Sequence, residues 1–182
     1  MPAPDSANST SLNPTLVGQR LGDYQILRRL GRGGMSFVYL AEQQSLKRRV
    51  AFKVLKPDLA KDKVYVRRFH KEAQAAASLV HANIVQIYEV GEIDGVHYIA
   101  QEYIPGQNLA QYIRRHSSVS VPLSIVILKQ VAAALHRASD QGITHRDIKP
   151  ENIMLSTTGE VKVADFGLAR VTSGEHHMDT TQ

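Results

Sequence analysis

The 182-residue sequence contains no cysteine, which excludes disulfides and cysteine-ligated metals and fits a reducing compartment such as the cytosol. It also contains no G-x-x-x-x-G-K-[ST] loop, so a Walker-type phosphate site is excluded. Residues 1–19 have neither a basic start nor an apolar stretch, and they are not typical of a secretory signal. Their Pro, Ser, Asn and Thr content predicts a disordered N-terminal tail over residues 1–20.

Long apolar runs are absent too. The most apolar predicted helix, around Ile125 to Leu135, is interrupted by Lys129 and Gln130, so we expect no membrane segment in this chain. The net charge of +5 comes from 22 basic and 17 acidic residues, and the basic residues occur in short scattered groups. This distribution indicates a solvated basic surface, and we expect no nucleic-acid partner.

The first half of the chain is rich in short β-forming runs, and Asp94-Gly95 predicts a tight hairpin turn. A five-stranded antiparallel sheet with one helix inserted after the third strand accounts for this order. The predicted strands are Tyr24 to Leu30, Ser36 to Leu40, Val50 to Leu55, Val85 to Val90 and Val96 to Tyr103.

The inserted helix is predicted from about Val64 to Leu79, and Glu72 lies on its apolar face. A carboxylate on a buried face needs a cation, and Lys53 stands inside an apolar strand. We therefore expect a Lys53–Glu72 ion pair, the alternative being two unrelated side chains that reach solvent separately. The predicted buried stripe is Phe69, Ala73, Ala76, Ala77 and Val80.

Pro105-Gly106 interrupts the β pattern, and helices are predicted after it. The longer one ends near Gly142, a residue typical of a helix C-terminus. Two short strands then flank Thr158-Gly159. The predicted elements are helices Leu109 to Arg115 and Leu123 to Asp140 and strands Ile153 to Leu155 and Val161 to Val163.

Chemistry is concentrated in the run from His145 to Asn152 and in Asp165-Phe166-Gly167, which follows thirteen residues later. Phosphoryl transfer needs one carboxylate near the acceptor hydroxyl and a second, with an amide, to hold magnesium. A glycine-rich turn, Gly31 to Val38, lies between the first two strands, where backbone amides can approach phosphate oxygens. Its position between strands, rather than before a helix, argues against a Rossmann fold.

In this order the motifs resemble those of protein kinases, specifically the Ser/Thr kinases common in bacteria, over about Tyr24 to Arg170. The resemblance implies an α+β two-lobed kinase fold, with a complete N-lobe over about residues 24–104 and a partial C-lobe over about 105–182. A domain spanning 24–182 would stop inside the activation segment. We therefore expect an incomplete kinase domain with little or no activity of its own.

The resemblance assigns roles in transfer. Asp147 would accept the substrate hydroxyl proton, Lys149 would neutralise charge on the transferred group, and Asn152 and Asp165 would bind Mg2+. His145 and Phe166 would pack and align the site.

The resemblance also implies an ATP site, with Lys53 on the phosphates and Glu72 holding it. Gln101 takes the position before the adenine hinge, and Ser36 replaces the third glycine of the usual loop pattern. The implied nucleotide-binding residues are Leu30, Gly31, Arg32, Gly33, Gly34, Met35, Ser36, Phe37, Val38, Ala51, Lys53, Glu72, Glu102, Ile104 and Met154.

Arg146, before the catalytic aspartate, is typical of kinases activated by phosphorylation of the following segment. Thr180 and Thr181 are the candidate sites, with Thr172 and Ser173 weaker; the alternative is that these are ordinary polar loop residues. Two other functions stay open. One is a kinase-like nucleotide-binding regulatory module without phosphotransfer; the other is a small-molecule kinase, which the Lys149-to-Asn152 run argues against.

We expect protein substrates with Ser or Thr acceptors and a cytoplasmic kinase domain. Anchoring in a membrane by residues beyond Gln182 stays open, and the sequence does not identify the substrate.

Overall fold

The computed structural model describes residues 16–166, apart from the side chains of Glu72 and Ala75. Its larger sheet is antiparallel, with strand order β1-β2-β3-β4-β6-β5, which confirms the predicted sheet and adds a two-residue edge strand. The strands are β1 Arg20–Leu21, β2 Tyr24–Arg32, β3 Ser36–Gln43, β4 Arg48–Leu55, β5 Ile87–Ile93 and β6 Val96–Glu102. The predicted hairpin turn is confirmed, because Asp94 and Gly95 both adopt positive φ angles of 51° and 78°.

A smaller sheet and four helices complete the described fold. The small sheet has the order β7-β8-β9, and its strand β7 was not predicted. The strands are β7 Gly106–Asn108, β8 Ile153–Ser156 and β9 Val161–Val163. The helices are α1 Pro57–Ala60, α2 Lys63–Ala77, α3 Leu109–His116 and α4 Val121–Ser139.

Part of the predicted N-terminal tail is held against the larger sheet. The N–H of Gly18 donates to the carbonyl of Ile26 at 2.9 Å, and the N–H of Ile26 donates to Gln19 at 2.9 Å. Leu16 is partly buried and packs against the core of the larger sheet. The structure therefore holds residues 16–20, which were assigned to the tail, against β2; residues 1–15 lie outside the described residues.

Three aromatic side chains fill the core of the larger sheet. Tyr24, Phe52 and Tyr98 are almost fully buried, and the rings of Phe52 and Tyr98 stack with centroids 4.7 Å apart. Both tyrosine hydroxyls donate to the carboxylate of Glu89. Burial, and then these hydrogen bonds to Glu89, raise the pKa of both tyrosines above the ordinary value.

Helix α2 packs on the sheet through much of the predicted stripe. The prediction fails at Val80, which is 68% exposed because the helix ends at its C-cap, Ser78. Leu79 is fully buried in its place, since the chain no longer follows helical spacing there. The stripe residues found buried are Phe69, Ala73 and Ala76.

Helix α4 contributes Ile127, Val131, Ala134 and Ala138 to the core beneath β8 and β9. The helix has 19 residues and extends beyond the apolar stretch seen in the sequence. By length and composition alone, a helix of this kind could cross a membrane. This is weak support for a membrane span, because core helices pass the same test. The helix ends at its C-cap, Asp140, two residues before Gly142, which was the predicted C-cap and has a left-handed φ of 68°.

Candidate functional site

A cleft of about 330 Å3 opens where the larger and smaller sheets approach each other. Its walls come from the ends of β2, β3 and β4 on one side and from β8 and the residue after β9 on the other. The apolar side chains lining it are Leu30, Val38, Ala51, Val85, Met154 and Ala164. Apart from Val85 and Ala164, these were predicted as nucleotide contacts. The two additional residues lie outside the strands, one before β5 and one directly after β9, and had no sequence signal of their own.

One end of this cleft is formed by the last two residues of β6, Gln101 and Glu102, and by the segment after them, including Ile104. The N–H of Glu102 donates to the carbonyl of Gln86 at 2.8 Å. Its carboxylate lies 2.9 Å from Nζ of Lys162, and both side chains are largely buried. The side chain and the N–H of Glu102 are therefore engaged inside the fold.

A second cavity of about 660 Å3 shares residues with the first and lies beneath the glycine-rich turn. The turn is closed by a hydrogen bond from the Gly33 N–H to the Ser36 carbonyl at 2.8 Å. A Cβ built at Gly31 or Gly34 would meet no heavy atom within 4 Å, so the space over these backbones is open. Such a surface suits phosphate oxygens, which need close approach to backbone amides.

Most of the turn residues predicted to bind nucleotide line this cavity. They are Gly31, Arg32, Gly33, Gly34, Met35, Ser36 and Val38. Phe37 lies elsewhere: it is 7% exposed, belongs to the core of the larger sheet, and lines neither cavity.

The cation and one acid of the predicted site are in direct contact. Nζ of Lys53 lies 2.7 Å from Oδ1 of Asp165, and the lysine is 8% exposed. The sequence did not predict this pair, because the two residues are 112 positions apart and no spacing rule connects them. The expected Lys53–Glu72 pair involves a side chain outside the described residues.

Three predicted catalytic side chains converge in the loop after α4. Nζ of Lys149 lies 2.5 Å from Oδ2 of Asp147. Nδ2 of Asn152 donates to the Asp147 carbonyl at 2.9 Å and approaches Oδ2 at 3.3 Å. The hydrogen bond from Lys149 lowers the pKa of Asp147, and the same contact raises the pKa of Lys149. Asp147 is thus held ionised and fixed in orientation.

His145 connects this loop to the strand end that carries Asp165. Its Nδ1 accepts the Asp147 N–H at 3.2 Å, and its Nε2 lies 2.9 Å from the Ala164 carbonyl. Since a carbonyl only accepts, Nε2 carries the proton and donates it. The ring is 3% exposed and meets Phe166 edge-on at 4.6 Å, which fits the predicted aligning role.

Two residues of the site adopt left-handed backbone conformations without being glycine. Arg146 has φ of 64° and Asp165 has φ of 61°. Such conformations cost about 1–3 kcal/mol and persist where the surroundings enforce them. One of them, Asp165, lines the cavity, and the other directly precedes Asp147, so the backbone is locally strained next to two of the predicted catalytic residues.

Asn152 and Asp165 line the same cavity and supply the oxygen donors that Mg2+ prefers. The amide nitrogen of Asn152 is engaged with Asp147, so its Oδ1 is the atom left to face a cation. Within residues 16–166 no group of three His, Asp or Glu side chains is placed to enclose a metal. This donor set fits an ion that takes few protein ligands and completes its shell with phosphates and water.

Gly167 and the candidate phosphorylation sites lie outside the described residues; those sites are Thr172, Ser173, Thr180 and Thr181.

Comparison with known proteins places these features in context. The family model of the protein kinase domain matches residues 24–182. The chain is 46% identical over 159 residues to serine/threonine-protein kinase PrkC of Bacillus subtilis, covering 87% of the chain and 24% of that relative. It is 41% identical over 159 residues to the probable serine/threonine-protein kinase PknB of Lactococcus lactis, covering 86% of the chain and 25% of that relative.

Among solved structures, the kinase domain of PknI from Mycobacterium tuberculosis matches with a TM-score of 0.72 and 35% sequence identity. That match covers 84% of this chain and 63% of the solved chain. The chain thus spans about a quarter of the length of the curated relatives it matches.

Proposed function

The chain belongs to the protein kinase family, and on this premise we propose that the protein transfers the γ-phosphoryl group of ATP to Ser or Thr hydroxyls of protein substrates. One observation carries the proposal. Lys53, Asp147, Asn152 and Asp165, from three separate segments, line a single cavity beneath the open glycine-rich turn. A cation, a carboxylate near the opening and two oxygen donors for a metal are the groups that phosphoryl transfer requires.

We place the adenine ring in the smaller cleft. Val38 and Ala51 would cover one face of the ring and Met154 the other, since all three line that cleft. The backbone of Glu102 and Ile104 would meet the polar edge of the base. The apolar walls favour a flat aromatic group, and the hinge carbonyls favour one with an amino substituent.

The phosphates would then lie beneath the glycine-rich turn, with Lys53 opposite them. Asn152 and Asp165 would hold Mg2+, which supplies positive charge that offsets the charge on the phosphate oxygens. Asp147 would accept the proton of the attacking hydroxyl, because its lowered pKa keeps it ionised at neutral pH. Lys149 would hold that carboxylate in place and face the transferred group.

We propose the same division of the domain as the resemblance implied, with an N-lobe over about residues 24–104 and a C-lobe from about residue 105. Proteins with Ser or Thr acceptors are the proposed substrates, and the cytoplasm, where ATP is supplied, is the proposed location of the domain. These proposals rest on the family and on the relatives, which are serine/threonine-protein kinases.

Transfer of labelled γ-phosphate from Mg-ATP to a generic basic protein tests the function. Because the 182-residue chain is expected to show little or no transfer, the variants are made in a chain that carries the complete kinase domain. We expect Asp147→Asn to lower transfer by roughly 10²–10⁴-fold, the usual contribution of a positioned base. Asp140→Asn, which removes an exposed carboxylate at the end of α4, is the matched control and should leave transfer unchanged. If the two variants behave alike, Asp147 is not the base.

Nucleotide binding is measured separately, by the shift in unfolding temperature that Mg-ATP causes. Lys53→Gln should abolish the shift, whereas Lys129→Gln, at an exposed position on α4, should preserve it. A shift without transfer to any protein would favour a kinase-like binding module. Transfer to small hydroxyl compounds in place of proteins would favour a small-molecule kinase.

A further inference from the structure

A second, strongly basic pocket lies beside α2, where the helix meets β6, away from the cleft. It has a volume of about 510 Å3 and shares no lining residue with either cavity of the candidate site. Side chains reach it from the end of α1, from α2 and from β6. Those used below are Lys61, Lys63, Arg67, His70, Lys71 and His97.

The charge of this pocket has one sign. Four permanent cations line it, and its lining contains no carboxylate. Within the part of the chain whose side chains are described, neither Arg67 nor Lys71 has a carboxylate within ion-pair distance, and the same holds for Lys61 and Lys63. Four cations around one concavity raise the local concentration of anions.

Two acidic groups near this pocket already have partners within the chain. Asp62 caps α2 by accepting the N–H of Val64 at 2.8 Å, so the helix end is already occupied by this chain's own carboxylate. Glu92, on β5, lies 3.4 Å from Nδ1 of His97 and is half exposed. The site is therefore formed by side chains rather than by the helix terminus.

Two imidazoles at the base of the pocket have buried nitrogens without hydrogen-bond partners. These atoms are Nε2 of His70 and Nδ1 of His97. The distance from His97 to Glu92 permits attraction, but the geometry is not that of a hydrogen bond. The rings meet edge-on with centroids 5.2 Å apart. A buried polar atom without a partner is costly, so the pair is poised to gain from a ligand with acceptor oxygens.

We propose that this pocket binds a tetrahedral dianion of the phosphate-monoester class. Arg67 and Lys71 hold this dianion together with the two histidines in protonated form. A dianion offers several acceptor oxygens in different directions, which matches cations that approach from α2 and from the α1–α2 connection. An arginine gives such a group two parallel hydrogen bonds.

Because the histidines must be protonated, the proposal predicts that binding of the anion depends on pH. Burial, and then the neighbouring His97, lower the pKa of His70, while Glu92 raises it. The cations of α2 also disfavour a protonated ring. A bound dianion reverses this balance, so binding takes up protons and strengthens as the pH falls.

The test measures sulfate binding to the 182-residue chain by calorimetry at constant ionic strength. Sulfate keeps its two charges across this range, so any pH dependence belongs to the protein. We expect affinity to be several-fold higher at about pH 5.5 than at about pH 7.5, on either side of the ordinary histidine pKa. Replacing His70 and His97 by Gln should remove this difference. Binding that keeps its pH dependence in that variant would overturn the role of the histidines.

The cations are tested with charge-matched double variants. Arg67→Gln with Lys71→Gln should weaken sulfate binding at least about tenfold, the loss expected for one charge-assisted hydrogen bond. Arg68→Gln with Lys129→Gln removes the same charge from exposed positions outside the pocket and should change the affinity less than about twofold. Equal weakening by both pairs, or no saturable binding by the parent, would refute the site.

A further binding experiment identifies the source of the oxyanion. Tighter binding of O-phosphothreonine than of inorganic phosphate would assign the pocket to a phosphorylated side chain, and equal binding would assign it to the free anion. Because no residue is shared with the cleft, failure of this site would leave the proposed phosphotransfer unaffected, and loss of phosphotransfer would leave this site standing.

Discussion

Substituting Gly106 by alanine should disrupt the fold at the point where the chain passes from the larger sheet to the smaller one. Gly106 begins β7 and pairs with Ser156 of β8. A Cβ at this position would lie 2.0 Å from the carbonyl oxygen of Leu155, whereas ordinary contacts begin near 3.4 Å. The opposing atom belongs to backbone, so it cannot rotate away as a side chain would.

The loss of folding free energy depends on which atoms must move to relieve this contact. Overpacking that side chains can absorb typically costs about 1–3 kcal/mol. Here β7 and β8 must separate, which also strains the ladder that pairs Asn108 with Met154. We therefore expect Gly106→Ala to lower the free energy of unfolding by about 3 kcal/mol or more. Because Met154 lines the cleft, ATP affinity should fall as well.

Urea denaturation of the parent and the variant measures the first effect, and titration with a fluorescent ATP analogue measures the second. Gly159→Ala is the matched control. Gly159 has a left-handed φ of 88° but open space around its Cβ position, so its substitution should cost only about 1–2 kcal/mol of backbone strain. The clash argument is refuted if Gly106→Ala costs no more than this control.

Three further outcomes are expected from the titrating and buried groups. Lys149→Met removes the hydrogen bond that lowers the pKa of Asp147, so the acidic limb of the rate–pH profile should shift to higher pH; an unchanged limb would contradict the assignment. The pKa values of Tyr24 and Tyr98 are raised in the fold, so their contribution to stability is complete below the ordinary value of 10.0 and is lost as the pH rises above it. Urea unfolding between neutral and strongly alkaline pH should show this loss, and constant stability would refute it. His145→Phe keeps a buried aromatic ring but leaves a buried carbonyl and N–H without partners, and it should cost about 2–4 kcal/mol by urea unfolding, against under about 1 kcal/mol if the two hydrogen bonds are unimportant.

Elements with strong local signals were predictable from the sequence. The Asp94-Gly95 turn requires positive φ angles, and the chain adopts them there. Strand β7 had no such signal, because Gly106, Gln107 and Asn108 are poor strand formers. It exists because β8, over forty residues later, offers a partner edge. Tertiary pairing decides such segments, and local propensity does not report it.

The candidate site likewise has a part that could be predicted from the sequence and a part that could not. The residues of the catalytic loop lie within eight positions of one another, so their convergence followed from the sequence motif. The Lys53–Asp165 contact depends on how two sheets meet and was not predictable from spacing. The physical requirement was nevertheless visible: a lysine inside an apolar strand needs a carboxylate. Sequence reasoning identified the need and chose Glu72, whose side chain lies outside the described residues, and it had no signal that pointed to Asp165.

Phe37 shows where a simple rule would have improved the prediction. Strand β3 begins at Ser36, and successive side chains of a strand point to opposite faces. Ser36 and Val38 both line the cavity beneath the glycine-rich turn, so the residue between them must face the core. Its 7% exposure and its place among the buried residues of the larger sheet agree with that alternation. Neighbouring motif residues can therefore all face the cavity where the backbone forms a turn. Where the backbone forms a strand, every second residue faces the core instead.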